Sequence, residues 1–299
     1  MLKKAKLGRT GLEVTQLGFG AMELRGPKVW SGRPISDEQA ERILHAVLDA
    51  GINFIDTSVD YGLSEERIGR FISSRRKEYY LATKCGCDPR EVGDKWETPH
   101  TWTRDNILRN IEGSLKRMKT DYVDVLQFHN PKPQDVASEK LVDVLKDIQR
   151  RGLTKFIGIS TTLPDLPVYV EMGVFDTFQI PYSVLDPKHH DAISLAAKAG
   201  AGTIIRGGIA KGGPESDVAA ASRVEAWKKA GLEELLDGMS PAEMILRATL
   251  SHPDCHTTII GTLNVEHIKA NVAAAAKGPL PAKLYEEIRR RVARFGKTE

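Results

Sequence analysis

The stretch "NFIDTSVDYGLSEERIGRFISSR", residues 53–75, holds both halves of one structural unit. Its first six residues are short, apolar and bounded by polar positions, which is the pattern of a buried strand. The segment "SEERIGRFISSR" reads as a helix, with Ser64 as the candidate N-cap. Asp56 ends the apolar run Phe54–Ile55, and Asp60 and Tyr61 follow within the next five residues. Asp56 and Tyr61 are therefore delivered together to the end of a strand.

The same alternation runs through the chain. Strand-like runs occur at residues 14–21, 53–58, 79–85, 121–129, 154–160, 177–183, 202–208 and 257–262. Helical patterns follow them. Residues 36–51 place Ile43, Val47 and Leu48 on one face, with Ser36 or Asp37 as cap and Gly51 as stop. Residues 103–120 place Ile107, Ile111, Leu115 and Met118 at steps of three and four. Further helices are expected at residues 138–152, 168–173, 191–200, 241–253 and 265–278, with Pro241 in a first turn. A last amphipathic helix spans residues 282–296.

Short strands alternating with helices predict a parallel sheet covered by helices. Eight units within about 260 residues predict an α/β fold of the (β/α)₈ TIM barrel type, one domain over residues 1–299 with an extra C-terminal helix. A doubly wound sheet is the alternative. Its Gly-rich turn after the first strand has only "GFGAME" as a candidate here, which lacks the third glycine and enters a loop. Two long loops are expected at the C-terminal face, at residues 23–35 and 86–100.

Bulk composition narrows the function classes. The 299 residues are 41% hydrophobic and 28% charged, as in a soluble globular protein. No apolar run approaches the roughly 18 residues of a membrane span, and no apolar signal core follows the basic N-terminus. A net charge of +3 with interleaved signs argues against a nucleic-acid partner. Cys85, Cys87 and Cys255 are an odd, sparse set that fits a reducing, cytoplasmic setting. No zinc-like spacing flanks Cys85-Gly86-Cys87, so no metal site is expected.

In a barrel, reactive groups sit where strands end at the C-terminal face. Taken in order, the strands deliver Gly20, Ala21 and Met22; Asp56, with Tyr61 beyond; Lys84; His129 and Asn130; Ser160 and Thr161; Gln179 and Tyr182; Arg206 and Gly207; and Gly261 and Thr262. A phenol near neutral pH is a weak acid that holds its proton. A lysine beside it stabilises the phenolate and lowers its pKa, and a carboxylate keeps the lysine charged and oriented. A histidine can donate to a substrate carbonyl. Asp56, Tyr61, Lys84 and His129 thus make a proton-donor set for a carbonyl oxygen. Singly, each has a plainer reading: a turn-capping Asp, a packing Tyr, a snorkelling Lys, a satisfied buried His. The fold is what brings them together. Asp60 acquires no role and reads as a loop residue.

With these residues in hand, the chain resembles the aldo-keto reductases, NAD(P)H-dependent barrel enzymes. The likeness runs from "LGRTGLEVTQLGFGAM" to "IIGTLNVEHIKANVAAA", through "GINFIDTSVDYGLSEERIG", "LATK" and "LQFH". The resemblance implies that Tyr61 is the general acid, that Lys84 and Asp56 tune it, and that His129 orients the substrate. It implies that Ser160 and Gln179 hold the nicotinamide carboxamide, with Asp56, Thr161 and Tyr182 among the cofactor-binding residues. Gly20, Ala21 and Met22 would run along the cofactor, and Gly261, Thr262, Asn264, His267 and Asn271 would clasp its adenosine end. Three positions depart from the family pattern. Thr161 replaces the usual Asn, Arg206 with Gly207 stands where an aromatic ring usually stacks, and Gly261 and His267 replace Lys and Arg at the 2′-phosphate. NADP(H) is favoured, with NAD(H) as the alternative. Trp30 and Trp102, in or beside the long loops, are expected to wall the substrate pocket with Tyr61 and His129. The expected reaction is NADPH-dependent reduction of aldehydes or ketones. The alternatives are an NAD-linked alcohol or sugar dehydrogenase and a cofactor-sensing subunit of a membrane protein.

Overall fold

Eight apolar runs become parallel strands: β1 (Leu17–Gly20), β2 (Phe54–Asp56), β3 (Tyr80–Cys85), β4 (Val123–His129), β5 (Thr154–Ser160), β6 (Thr177–Pro181), β7 (Gly202–Arg206) and β8 (Thr257–Ile260). Each pairs with the next, and β8 returns to β1 through Thr258↔Leu17 and Ile260↔Phe19. The computed structural model, which describes residues 1–210, 212–214 and 221–295, is thus a closed parallel barrel. The (β/α)₈ expectation is correct, and the doubly wound alternative falls, because that sheet is open.

The covering helices are α1 (Asp37–Asp49), α2 (Ser64–Phe71), α3 (Arg104–Met118), α4 (Leu141–Arg150), α5 (Leu166–Glu171), α6 (His190–Lys198), α7 (Pro241–Leu250) and α8 (Val265–Ala276). A further helix, Ala282–Phe295, closes the described chain, and Gly296 lies outside the described residues. Capping sets the starts. Ser36 accepts from the Gln39 N–H, Thr103 from Asn106 and Ser240 from Glu243, the last with Pro241 in the first helical position. The faces turned to the barrel are the apolar ones: Ile43, Leu44 and Val47 on α1, and Ile107, Ile111 and Met118 on α3, are buried. Among the described residues, no helix is long and apolar enough to cross a membrane.

Three expectations need correction. The run at residues 14–21 is not one strand. Glu13–Thr15 pairs antiparallel with Lys4–Lys6, and only Leu17–Gly20 joins the barrel. That hairpin carries Leu7 and Val14 into a buried cluster with Phe54, Ala82, Val125, Ile204 and Ile259. The loop at residues 86–100 contains its own hairpin, Arg90–Val92 against Lys95–Glu97, turned at Gly93 with φ +58°. Ser64 does not cap α2. It is the first helical residue, and its hydroxyl donates to the Ala21 carbonyl instead.

The interior cluster explains where the polar groups lie. Side chains two apart on a strand point to the same face. Phe54, Ala82, Val125, Ile204 and Ile259 form one buried group. Two residues further along the same strands, toward the C-terminal mouth, stand Asp56, Lys84, Gln127, Arg206 and Gly261. An apolar floor therefore lies below a polar layer.

Candidate active site

Lys84 is fully buried, and its ammonium donates to Asp56 Oδ2 at 2.7 Å and to the Thr57 carbonyl at 2.8 Å. Asp56 Oδ1 accepts from the Gln127 amide at 2.9 Å and the Gln179 amide at 2.7 Å. The carboxylate therefore has donors on both oxygens, which is the condition under which a charge survives burial. Burial works to lower the Lys84 pKa, but Asp56 and Tyr61 outweigh it and the group is shifted up, so it stays charged.

Tyr61 lies over this pair. The Lys84 ammonium is 4.7 Å from the ring centroid, the His129 ring meets it edge-on at 6.1 Å, and Trp30 does the same at 5.9 Å. The expected net lowering of the Tyr61 pKa is not what burial allows. Loss of solvent pushes the phenol up, Lys84 pulls it down, Asp56 and Asp60 push it up again, and the result is about 12. Tyr61 is thus a phenol that keeps its proton across the physiological range, which is what a general acid requires.

His129 is held from behind by residues the sequence reading passed over. Its Nδ1 lies 3.3 Å from Asp60 Oδ2 and 3.1 Å from Cys87 Sγ. Asp60 does sit in the turn after β2, but it faces inward. It is 2% exposed, and the Ser58 hydroxyl donates to it. Burial works to raise the Asp60 pKa, but the His129 charge and hydrogen bond, the Ser58 hydroxyl and Lys84 outweigh it and hold the carboxyl at about 2. This folded value lies below the ordinary 3.8, so Asp60 contributes stability above that pH and loses it as pH falls toward 2. Asp60→Asn should therefore be less stable than wild type at neutral pH, and the gap should close between about pH 4 and pH 2. Urea midpoints measured across that range check this, and parallel curves would show that Asp60 is not paired as an ion.

The substrate-side aromatics divide. Trp30 packs edge-on against Tyr61. Trp102 is one step removed: it stacks on His100 at 5.5 Å and 6°, and His100 meets His129 edge-on at 5.7 Å. Trp102 also sits where a side chain on Gly86 would be, with its ring about 2.0 Å from that Cβ position.

Most of the residues expected to hold the cofactor stand at the same strand ends. Gly20 and Gly261 approach so closely that a Cβ on Gly261 would lie 2.6 Å from the Gly20 carbonyl oxygen. Ala21 is buried and Met22 is exposed. Thr161 is buried, and its N–H donates to the Gln179 carbonyl. Ser160 Oγ and Arg206 Nε are buried with no hydrogen-bond partner. Burial lowers the Arg206 pKa, with Tyr61 and Asp56 opposing it and Arg223 adding to it. Gly207 follows at φ +76°, with Arg223 near it. At the start of α8, Asn264 caps the helix through the Glu266 N–H, Thr262 Oγ1 lies 3.3 Å from His267 Nδ1, and Lys269 pairs with Glu266. Asn271 lines a small crevice with Thr262, Gly18 and Phe19. Tyr182 points elsewhere: its hydroxyl lies 3.4 Å from that of Tyr285, and its ring packs against His190 and His252. Partnerless polar atoms at a strand-end mouth are the donor set a nicotinamide group fits.

The strand ends of a closed parallel barrel thus bring Asp56, Tyr61, Lys84 and His129 together at one mouth, where barrel enzymes carry their chemistry. The sequence matches the Aldo/keto reductase family over residues 16–292, and the chain belongs to that family. It is accordingly an NAD(P)H-dependent oxidoreductase. The chain is 27% identical over 295 residues to the uncharacterized oxidoreductase YqkF of Bacillus subtilis, with 92% of this chain and 91% of that one covered. It is 28% identical over 290 residues to L-galactose dehydrogenase of Arabidopsis thaliana, covering 91% and 87%. The holo form of aldo-keto reductase AKR11C1 from Bacillus halodurans superposes with a TM-score of 0.84 at 28% identity, over 97% of this chain and 96% of that one.

Proposed function

We propose that this chain reduces the carbonyl group of small aldehydes, ketones or sugars to an alcohol, with NADPH as the favoured reductant. The observation that supports this reading best is the buried Asp56–Lys84 pair beneath a protonated Tyr61, with His129 edge-on to the phenol. A bound reduced nicotinamide supplies the hydride. The chain's own residues do the rest. Tyr61 Oη gives its proton to the carbonyl oxygen and becomes a phenolate, which the Lys84 ammonium then stabilises. Asp56 holds that ammonium in place. Asp60 and Cys87 fix the His129 ring, so that it orients the carbonyl toward Tyr61.

The cofactor preference rests on the start of α8, where Thr262 and His267 meet beside the Asn264-capped helix N-terminus, a setting suited to a phosphate. Arg206, part-buried with its Nε unpartnered, adds a cation at the end of the neighbouring strand β7. The NAD-linked sugar dehydrogenase reading stands second, favoured by the likeness to L-galactose dehydrogenase. The complete Asp56–Tyr61–Lys84–His129 set weighs for turnover and against a purely sensing subunit.

The test is a panel of aldehydes, ketones and sugars assayed with both cofactors. NADPH-driven reduction of aldehydes is expected, and activity confined to NAD-linked oxidation would replace this reading with the second. In the same assay Arg206→Ala should weaken NADPH affinity by about 10- to 150-fold, the value of a charge-assisted hydrogen bond of roughly 1.5–3 kcal/mol. An unchanged dissociation constant would remove Arg206 from the cofactor site.

A further inference from the structure

Behind His129 the fold converges ligand types that the linear spacing does not show. Cys87 Sγ, a ring nitrogen of His100 and a ring nitrogen of His129 all lie within 4.8 Å of one another. Asp60 Oδ2 is 3.3 Å from His129 Nδ1, on the same side as Cys87. Cys87 and His100 face each other across an isolated antiparallel bridge. Flanking hydrogen bonds, Asp88 N–H to the Pro99 carbonyl at 2.7 Å and Thr101 N–H to the Gly86 carbonyl at 2.8 Å, clamp that pair. The Trp102 ring backs His100. Cys87 is buried, His129 half-buried and His100 exposed, so the cluster opens to solvent on the His100 side.

We propose that Cys87, His100 and His129, with Asp60 as fourth ligand, form a binding site for a thiophilic divalent cation of the zinc type, and that occupancy shuts down carbonyl reduction by taking His129 out of service. The donor set is one sulfur, two imidazole nitrogens and one carboxylate, which selects zinc over magnesium or calcium. In a tetrahedral zinc site, with metal–sulfur near 2.3 Å and metal–nitrogen near 2.0–2.1 Å, neighbouring donors are roughly 3.3–3.7 Å apart. Cys87 and His129 already sit at 3.1 Å. Among Cys87, His100 and His129 the remaining closure is at most about 1.5 Å against those spacings and falls on His100, the exposed member, while Asp60, outside that 4.8 Å group, moves in with the His129 it already contacts. Binding replaces the thiol proton by the metal and releases that proton to solvent. The bound cation then fixes the His129 ring through Nδ1 and places its charge beside Tyr61.

The binding half stands on geometry alone, and the inhibitory half rests on the proposed reduction. They separate in one experiment on the full chain. Cobalt(II) is titrated into the protein and followed by its thiolate-to-cobalt charge-transfer absorption, then displaced with zinc. One equivalent per chain is expected. Cys87→Ser should abolish the band, and His100→Gln, a change at an exposed side chain, should weaken affinity at least about tenfold. One equivalent of zinc should also suppress turnover, with recovery on chelation. Absence of the band, or its persistence in Cys87→Ser, overturns the site. A band with turnover untouched by zinc overturns the inhibitory role while leaving the site. A protein with no carbonyl turnover still reports the band, so failure of the functional reading does not conceal the result.

Discussion

Tyr61→Phe is expected to lower kcat for carbonyl reduction by about 10²–10⁴-fold, the usual worth of a positioned general acid. The substitution removes one oxygen and leaves the ring. That ring carries the packing: Trp30 at 5.9 Å, His129 at 6.1 Å and the Lys84 ammonium at 4.7 Å all contact its faces or edges. Cofactor affinity should therefore change little, and the loss should fall on kcat rather than on binding. The pH profile adds a second reading. Reduction needs the protonated phenol, which is present below about 12. Oxidation of an alcohol needs the phenolate, which grows only as pH rises toward that value. In the wild type, reduction should stay flat through neutral pH on this account, while oxidation should climb toward alkaline pH. The climb should vanish in Tyr61→Phe. Steady-state kinetics with a direct cofactor-binding titration decide the matter. Wild-type turnover in the variant would mean that another group supplies the proton.

Much of this arrangement is legible from the chain because barrel strands carry local signals. "NFID", "LATK" and "VLQFH" are short and apolar, they end in polar residues, and the helices between them carry caps such as Ser36, Thr103 and Ser240. Asp56, Lys84 and His129 follow from strand ends alone. Gln127 also lay within reach of the period-two rule, since it stands two residues past Val125, but its amide gains meaning only through Asp56 across the barrel. Asp60 did not. Nothing near it in sequence marks it as buried; its partners are Ser58, two residues away, and His129, which β4 brings across. Cys87 and His100 are thirteen positions apart and meet only because the Arg90–Val92/Lys95–Glu97 hairpin folds between them. The Tyr61 pKa fails for a different reason. Residue identities show the lysine that lowers it, whereas burial, the larger effect, is a property of the folded mouth.

The largest stability effect should come from splitting the Asp56–Lys84 pair. Asp56→Asn is expected to cost about 3–5 kcal/mol, the usual penalty for leaving a buried charge uncompensated. The Lys84 ammonium, fully buried, would keep only the Thr57 carbonyl as a strong acceptor. Lys84→Met should cost less, because Asp56 would still receive the Gln127 and Gln179 amides on Oδ1. Pairing the two substitutions removes both charges at once. The double variant should therefore be more stable than the sum of the single losses predicts, by about 1–3 kcal/mol of coupling. Urea unfolding of the four proteins, with equal m-values as the control, measures that difference. Additive losses would mean that the ammonium and the carboxylate do not depend on each other in the fold, and the tuning role given to this pair beneath Tyr61 would lose its basis. Coupling together with near-total loss of turnover in both single variants would tie the stability of the barrel mouth to its chemistry, since the charge that stabilises the phenolate is the same charge that the fold must keep buried and paired.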